Sequence, residues 1–318
     1  MRIVIVGPGA LGSLLGARLW LSRQNPERSG DSLGSLHLLD YRKERAADLR
    51  QNGIFYEEGG ETWRCAIEVT ASPEICAAAD LLFFCVKANA VRPGLERIKD
   101  YLAPRQLLLA MQNGIGHLGM ITAAGCSAGV GITSEGATLV KPGYVRLGGH
   151  GLTRLGILTG HSAGSESILK ETVLLLNAAG LRTEVTGNPL QHIWAKLFVN
   201  VGINALTALH DCRNGALLDH PGTRETMAAA VREAVALAGA MGISVAGDPV
   251  AATFEVCRTT ADNISSMLQD VRKKRPTEID AINGAVVEEG KKMGLDMPVN
   301  ADLVRRVKEL EASYVQGR

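Results

Sequence analysis

Four apolar residues, Ile3-Val4-Ile5-Val6, run directly into Gly7-Pro8-Gly9-Ala10-Leu11-Gly12, and a helical pattern follows from Ser13 to Ser22. A short unbroken apolar run reads as a parallel strand covered on both faces. In that context Gly7 permits a tight turn, Gly9 lets the backbone approach a pyrophosphate, and Gly12 allows close helix–strand packing. The phosphates would rest on the free N–H groups at the helix start. The spacing therefore predicts a doubly wound α/β domain with its dinucleotide turn at residues 7–12. A glycine turn without a ligand is the bland alternative, and strand, glycines and helix in this order weigh against it.

The 318 residues suggest two domains. With 34 basic and 33 acidic residues the net charge is +1, and no Lys/Arg block of five or six occurs, so nucleic acid is not an expected partner. A small molecule is. A membrane span is not expected either: the longest stretch without Asp, Glu, Lys or Arg, Gln106 to Ser134, is interrupted by Gln112, Asn113, His117 and several glycines. Gly7-Pro8-Gly9 breaks the N-terminal apolar run too early for a signal peptide. Six dispersed cysteines without a C-x-x-C pair point away from zinc or a disulfide framework and toward a reducing cytoplasm; no metal is expected.

Leu36 to Leu39 reads as the next strand and ends at Asp40, 28 residues after Gly12. The polar connection Asn25 to Ser35 is long and is expected to be mobile. Asp40 could accept bonds from adenosine ribose hydroxyls, favouring NADH, whereas Arg42 could pair with a 2′-phosphate, favouring NADPH. Both signals stand at this level. Two further strands end at Lys87 and at Gln112-Asn113-Gly114, which would share one rim with the glycine turn. Gly53 to Ile67 reads as a hairpin. Tyr144 to Leu147 and Thr153 to Leu158 read as antiparallel strands extending the sheet, and a helix (Glu166 to Ala179) and strand (Arg182 to Val185) close a domain of residues 1–187.

Residues 188–318 read as all-helical. His192, Lys196, Asn200 and Asn204 recur every fourth residue and stack on one helix face. Lys196 is the single charged residue between Glu184 and Asp211. Burial would push its ammonium below ~10.4 and fit it for proton transfer. A snorkelling lysine with its head in water is the equal alternative. Asn263 and Ser266 are expected to share the face of another helix. Pro276-Thr277-Glu278-Ile279-Asp280 reads as a helix start, with Glu278 in a first turn where the dipole alone would favour a carboxylate.

Together these segments resemble the ketopantoate reductase (2-dehydropantoate 2-reductase) family. The motifs that carry the resemblance are Gly7-x-Gly9-x-x-Gly12, Cys85-Val86-Lys87, Gln112-Asn113-Gly114, Lys196-x-x-x-Asn200-x-x-x-Asn204-Ala205-Leu206-Thr207-Ala208-Leu209, Asn263-x-Ser265-Ser266-Met267-Leu268-Gln269-Asp270, and Pro276-Thr277-Glu278-Ile279-Asp280-x-Ile282-Asn283-Gly284. The resemblance implies a Rossmann-type N-terminal domain, an all-α C-terminal domain, an active site in the cleft between them, and NADPH-dependent reduction of 2-dehydropantoate to (R)-pantoate on the way to coenzyme A. It further implies Lys196 and Glu278 as catalytic residues. Asn200, Asn204, Asn263, Ser266 and Asn113 would bind substrate, and residues 7–12, Arg42, Lys87 and Asn113 the cofactor. A cytoplasmic monomer or homodimer is the implied form. Asp40 and the inserted Asn25–Ser35 stretch depart from the family pattern. Reduction of another branched 2-oxo acid, or a non-catalytic dinucleotide sensor, are the competing readings; a sensor would need neither Lys196 nor Glu278.

Overall fold

The computed structural model describes residues 1–25 and 33–316; most of the Asn25–Ser35 connection thus lies outside the described residues. The chain divides into two compact units, one of Met1–Gln112 with His117–Pro189, the other of Asn113–Gly116 with Leu190–Arg318.

The first unit runs β1 (Arg2–Val6), α1 (Ala10–Arg23), β2 (Ser35–Leu39), α2 (Lys43–Asn52), β3 (Ile54–Glu58), β4 (Glu61–Cys65), β5 (Glu68–Thr70), β6 (Leu81–Phe84), α3 (Val91–Ile98), β7 (Leu107–Ala110), α4 (Leu118–Thr122), β8 (Ser127–Thr133), β9 (Gly136–Lys141), β10 (Tyr144–Gly149), β11 (Thr153–Thr159), α5 (Ala163–Ala178) and β12 (Thr183–Val185). The main sheet has the order β12-β11-β8-β7-β6-β1-β2-β5. Neighbours from β5 through β8 are parallel, and β11 turns antiparallel to β8. Ile3, Ile5, Leu81, Phe83, Leu107 and Leu109 are fully buried, as unbroken apolar strands require when both faces are covered. All parallel strands present their carboxyl ends on one rim, where ligands of such sheets bind.

One strand assignment changes. Tyr144–Gly149 does not extend the main sheet. It joins a second sheet, β4-β3-β10-β9, parallel to β3 and antiparallel to β9. The β3–β4 hairpin has only one partnered edge, and β10 satisfies the backbone groups of the other. β11 does extend the main sheet, antiparallel as expected.

The second unit is helical: α6 (Pro189–His210), α7 (Pro221–Ala240), α8 (Pro249–Thr259), α9 (Ser266–Arg272), α10 (Asn283–Lys292) and α11 (Pro298–Gln316). Proline at the first helical position starts α7 and α8. α6 is apolar on most of its surface, burying Ile193, Trp194, Leu197, Phe198, Val201 and Leu206. Among the described residues no helix is long and apolar enough to cross a membrane.

Candidate active site

On the first unit the glycine turn has the geometry its sequence requires. Gly7 has φ +96°, and a Cβ there would meet Val86 Cγ1 at 2.9 Å and Val86 N at 3.0 Å. A Cβ on Gly12 would lie 2.2 Å from the Gly7 carbonyl oxygen. The fold itself therefore demands both glycines. Gly9 differs: its Cβ would meet nothing closer than the Cys85 oxygen at 3.9 Å, and its φ of −77° suits any residue. The protein's own packing does not explain a bare backbone there. A cradle for an external group does, and Gly9 is the N-cap of α1, whose first turn contains no acidic residue. The turn thus fits a dinucleotide's pyrophosphate.

At the end of β2, Asp40 is fully buried and its carboxylate is taken up locally. It accepts from the Arg42 backbone N–H at 3.0 Å and from Arg45 Nη2 at 2.8 Å, and Arg45 Nε closes a bidentate ion pair. The acid that could have read a ribose diol instead anchors Arg45. The guanidinium groups of Arg42 and Arg45 lie 5.4 and 5.6 Å from the centre of the Tyr41 ring, and the Arg42 side chain is exposed. Along the same rim Lys87 is exposed after β6, and Gln112 Nε2 bonds the carbonyls of Phe84 (2.6 Å) and Val86 (2.9 Å), tying the ends of β6 and β7 together.

On the second unit α6 carries His192, Lys196, Asn200 and Asn204 on one continuous helix; Asn204 is buried and the other three partly buried. Burial pushes the Lys196 ammonium down to about 8, and the charge of Glu278 works in the opposite direction, holding it up. This is the direction expected of an internal lysine rather than a snorkelling one. Asn113 Nδ2 donates to Glu278 Oε2 at 3.1 Å. Gly114, at φ +82°, is seated so closely that a Cβ would lie 2.0 Å from the Ala281 oxygen. Asn113, Glu278 and Lys196 are thus gathered in one unit, although 165 residues separate the first two. A cation near neutrality beside a carboxylate can stabilise a developing alkoxide and hand it a proton.

The chain matches the family described as Ketopantoate reductase PanE/ApbA over residues 3–160 and its C-terminal part over residues 188–311. A 2-dehydropantoate 2-reductase of Halobacterium salinarum is 35% identical over 315 residues, covering 96% of this chain and 98% of the relative. The chain belongs to the ketopantoate reductase family. A second relative, from Pyrococcus horikoshii and of the same name, is 32% identical and covers 98% of each chain. Among solved structures, a PanE/ApbA family ketopantoate reductase from Ralstonia eutropha superposes with TM-score 0.85 at 26% identity, covering 99% of both chains. A D-mandelate dehydrogenase with NADH and anilino(oxo)acetate superposes with TM-score 0.86 at 27% identity, also over 99% of both.

Two expectations about this family's motif regions need correction. Asn263 and Ser266 do not share a helix face, because Asn263 precedes the helix. Ser265 is the N-cap of α9 and accepts from Leu268 N at 3.1 Å, so regular structure starts only at Ser266. Both Asn263 and Ser266 are exposed. Their segment is tied to α6 by the 2.7 Å bond between Ser265 and Thr207 hydroxyls, three residues beyond Asn204. Likewise Thr277 does not cap a helix at Glu278. Its hydroxyl accepts from Ile279 N at 3.2 Å, residues 278–282 form turns, and α10 begins at Asn283. Glu278 is therefore not explained by a helix dipole.

The sequence pattern also passed over three groups. Asn214 is buried, donates to Thr260 Oγ1 at 2.8 Å and leaves Oδ1 without a hydrogen bond; its N–H donates to the Asn263 carbonyl at 3.1 Å, and its own carbonyl accepts from Leu217 N and the Cys257 thiol. Glu135, just past β8 on the rim of the first unit, has both carboxylate oxygens shut from solvent without a hydrogen bond. His117 is buried with both ring nitrogens unpaired, and burial lowers it to about 4, so it is neutral at working pH.

Proposed function

We propose that this chain reduces 2-dehydropantoate to (R)-pantoate with NADPH, the nicotinamide supplying hydride to the C2 carbonyl carbon. The observation that carries the reading is Lys196: an ammonium brought down to about 8 with Glu278 as its electrostatic partner, in a chain whose relatives are named for this reaction. Lys196 stabilises the negative charge growing on the carbonyl oxygen and donates the proton that completes the hydroxyl; water then restores the ammonium. Glu278, held by Asn113, keeps Lys196 protonated near neutral pH and accepts a hydrogen bond from the substrate. Asn200 and Asn204 lie one and two helical turns beyond Lys196 and orient the oxo acid. The glycine turn and Lys87 hold the cofactor.

Nicotinamide absorbance followed over a panel of 2-oxo acids tests this. The highest kcat/KM is expected with 2-dehydropantoate. The D-mandelate dehydrogenase likeness favours one specific second reading, an aryl-substituted 2-oxo acid, and preference for phenylglyoxylate would replace the first. No oxidation of cofactor with any member would leave only the sensor.

The pH profile follows from the sign of the shift. The proton donor is the charged lysine, so kcat/KM for reduction is flat below about 8 and falls about tenfold per unit above it. In the oxidative direction the neutral amine is the base, and activity rises through the same pH. Glu278→Gln removes the charge that holds Lys196 up, so the basic limb moves to lower pH.

Cofactor choice rests on Asp40. With its carboxylate bound to Arg45, the residue that would reward NADH is spent inside the fold, leaving the exposed Arg42 to meet a 2′-phosphate. A hydrogen bond to a charged group contributes about 1.5–3 kcal/mol, so Arg42→Ala should lower kcat/KM for NADPH by roughly 10- to 100-fold and leave NADH unchanged. Equal efficiency of the two cofactors before and after the substitution would remove the preference.

A further inference from the structure

The turn that carries Glu278 is held by α11. Within residues 277–284 the backbone bonds are local: Ala281 and Ile282 donate to the Glu278 carbonyl at 3.0 and 3.1 Å, and Gly284 to Ile279 at 2.9 Å. Such a turn fixes its own shape but not its place. Ile279, fully buried, anchors it on one side. Asn113 Nδ2 bonds the Glu278 carboxylate itself at 3.1 Å, and Asn283 Nδ2 fixes the far end of the stretch on the Val201 carbonyl at 3.2 Å. At its near end the turn is held by two side chains one helical turn apart on α11. Glu311 Oε1 accepts from the Thr277 N–H at 2.7 Å, and Lys308 pairs with Asp280 while its Nζ lies 3.7 Å from Glu311 Oε2. Glu278 thus sits between two gripped positions, 277 and 280. The Thr277–Glu311 bond is the protected member, since Thr277 is buried and the Glu311 side chain only 16% exposed, whereas Lys308 and Asp280 are 46% and 66% exposed. Exposed ion pairs contribute little to stability, so the outer pair adds mainly orientation.

We infer that Glu311 is a positioning residue for the active site, holding Glu278 at its working distance from Lys196 through the Thr277 N–H. This rests on the reading of Lys196 and Glu278 given above. Asn113 fixes one oxygen of the Glu278 carboxylate, whereas the Thr277–Glu311 bond fixes the backbone from which that side chain projects. A small displacement of a group near the reacting atoms costs far more in rate than in stability. A carboxylate that drifts from Lys196 also stops holding the lysine's proton affinity up.

Glu311→Ala is expected to lower kcat/KM for the oxo acid at least tenfold, leave the KM for NADPH unchanged, and move the basic limb of the pH profile downward toward that of Glu278→Gln. Glu311→Gln keeps an acceptor oxygen and should retain most activity. The double variant Glu278→Gln/Glu311→Ala should be no slower than Glu278→Gln alone, because the outer residue acts through the inner one. An additive loss, or a Glu311→Ala protein that is merely less heat-stable with kcat/KM within twofold and an unmoved basic limb, overturns the inference. Should Glu311→Ala not fold, Glu311→Asp keeps the charge, withdraws the oxygen by one methylene, and must show the same shift. Titration of Lys196 by NMR in the 13C-lysine-labelled protein reads the coupling without any substrate. If no 2-oxo acid is reduced but the Lys196 titration still moves in Glu311→Ala, the functional reading fails and the positioning stands; an unmoved titration in an active enzyme does the reverse.

Discussion

Lys196→Ala should lose two to four orders of magnitude in kcat while binding the nicotinamide cofactor as tightly as the wild type. General acid catalysis contributes typically 10²–10⁴-fold, and in the proposed mechanism the same ammonium also supplies the positive charge that faces the developing alkoxide. Between Glu184 and Asp211 no other Asp, Glu, Lys or Arg stands on the chain, so α6 offers no second ammonium or guanidinium to take its place. The cofactor contacts proposed at residues 7–12 and at Arg42 lie on the other unit, which is why affinity and turnover should separate. Cofactor fluorescence gives the first and single-turnover absorbance the second; near-normal turnover would remove Lys196 from the mechanism. Stability should move the opposite way. The Lys196 pKa is depressed on folding, so the cost of confining the charge is fully present below about 8 and disappears as pH rises toward the unfolded value of 10.5. Lys196→Met therefore should raise the melting temperature at pH 7, by an amount corresponding to a few kcal/mol at ~1.4 kcal/mol per pKa unit, with no gain near pH 10.5. An inactive enzyme that is more stable than its parent is the signature of a group kept for chemistry.

What the sequence made legible follows from which constraints are local. The glycine turn is readable because strand, glycines and helix follow one another within a few residues and Gly12 answers to Gly7, and α6 because its apolar residues repeat at helical spacing around a lone lysine. β8 carries only a weak strand signal. Its residues Ser127–Thr133 alternate Ala128, Val130 and Ile132 with glycine and hydroxyl residues, a composition shared with loops, and the reason for the glycines is tertiary: a Cβ on Gly129 would lie 2.5 Å from the Gly156 oxygen, and one on Gly131 2.3 Å from Met111 Sδ. Smallness imposed by a strand or side chain distant in sequence looks like the smallness of a loop. The placement of β10 failed for a related reason, since an alternating strand fits either sheet and only the open edge of the hairpin decides. At Glu278 and Asn263 the residue types predict helix, whereas Glu278 lies in a turn before α10 and Asn263 precedes α9. Thr277 and Ser265 are both good cap formers, yet only Ser265 caps a helix: the Thr277 N–H is taken by Glu311 and its hydroxyl closes a turn on Ile279 N. Asn113 needed the fold most of all: its amide is paired with Glu278 far along the chain.

Gly9→Ala and Gly12→Ala should both abolish tight cofactor binding, and by different routes. At Gly12 the new methyl would meet the Gly7 carbonyl at 2.2 Å; that atom is backbone in a turn already at φ +96° and cannot yield. The start of α1 must then move off the turn, so Gly12→Ala should lower the melting temperature by several degrees and raise the Kd for NADPH at least 100-fold. At Gly9 the methyl meets only open space out to the Cys85 oxygen at 3.9 Å, and the backbone angles are permissive. Gly9→Ala should therefore melt within a degree or two of the parent, and an alanine in place of an N-cap glycine costs at most a fraction of the usual cap energy because Gly9 has no side-chain cap to lose. Its Kd should nevertheless rise at least tenfold, because the methyl occupies the space through which the pyrophosphate reaches the helix N–H groups. Calorimetric titration with NADPH beside thermal unfolding separates the two. A Gly9→Ala protein that binds NADPH with parental affinity would mean that the bare backbone at this position serves no ligand, and the glycine turn would then be a packing device alone.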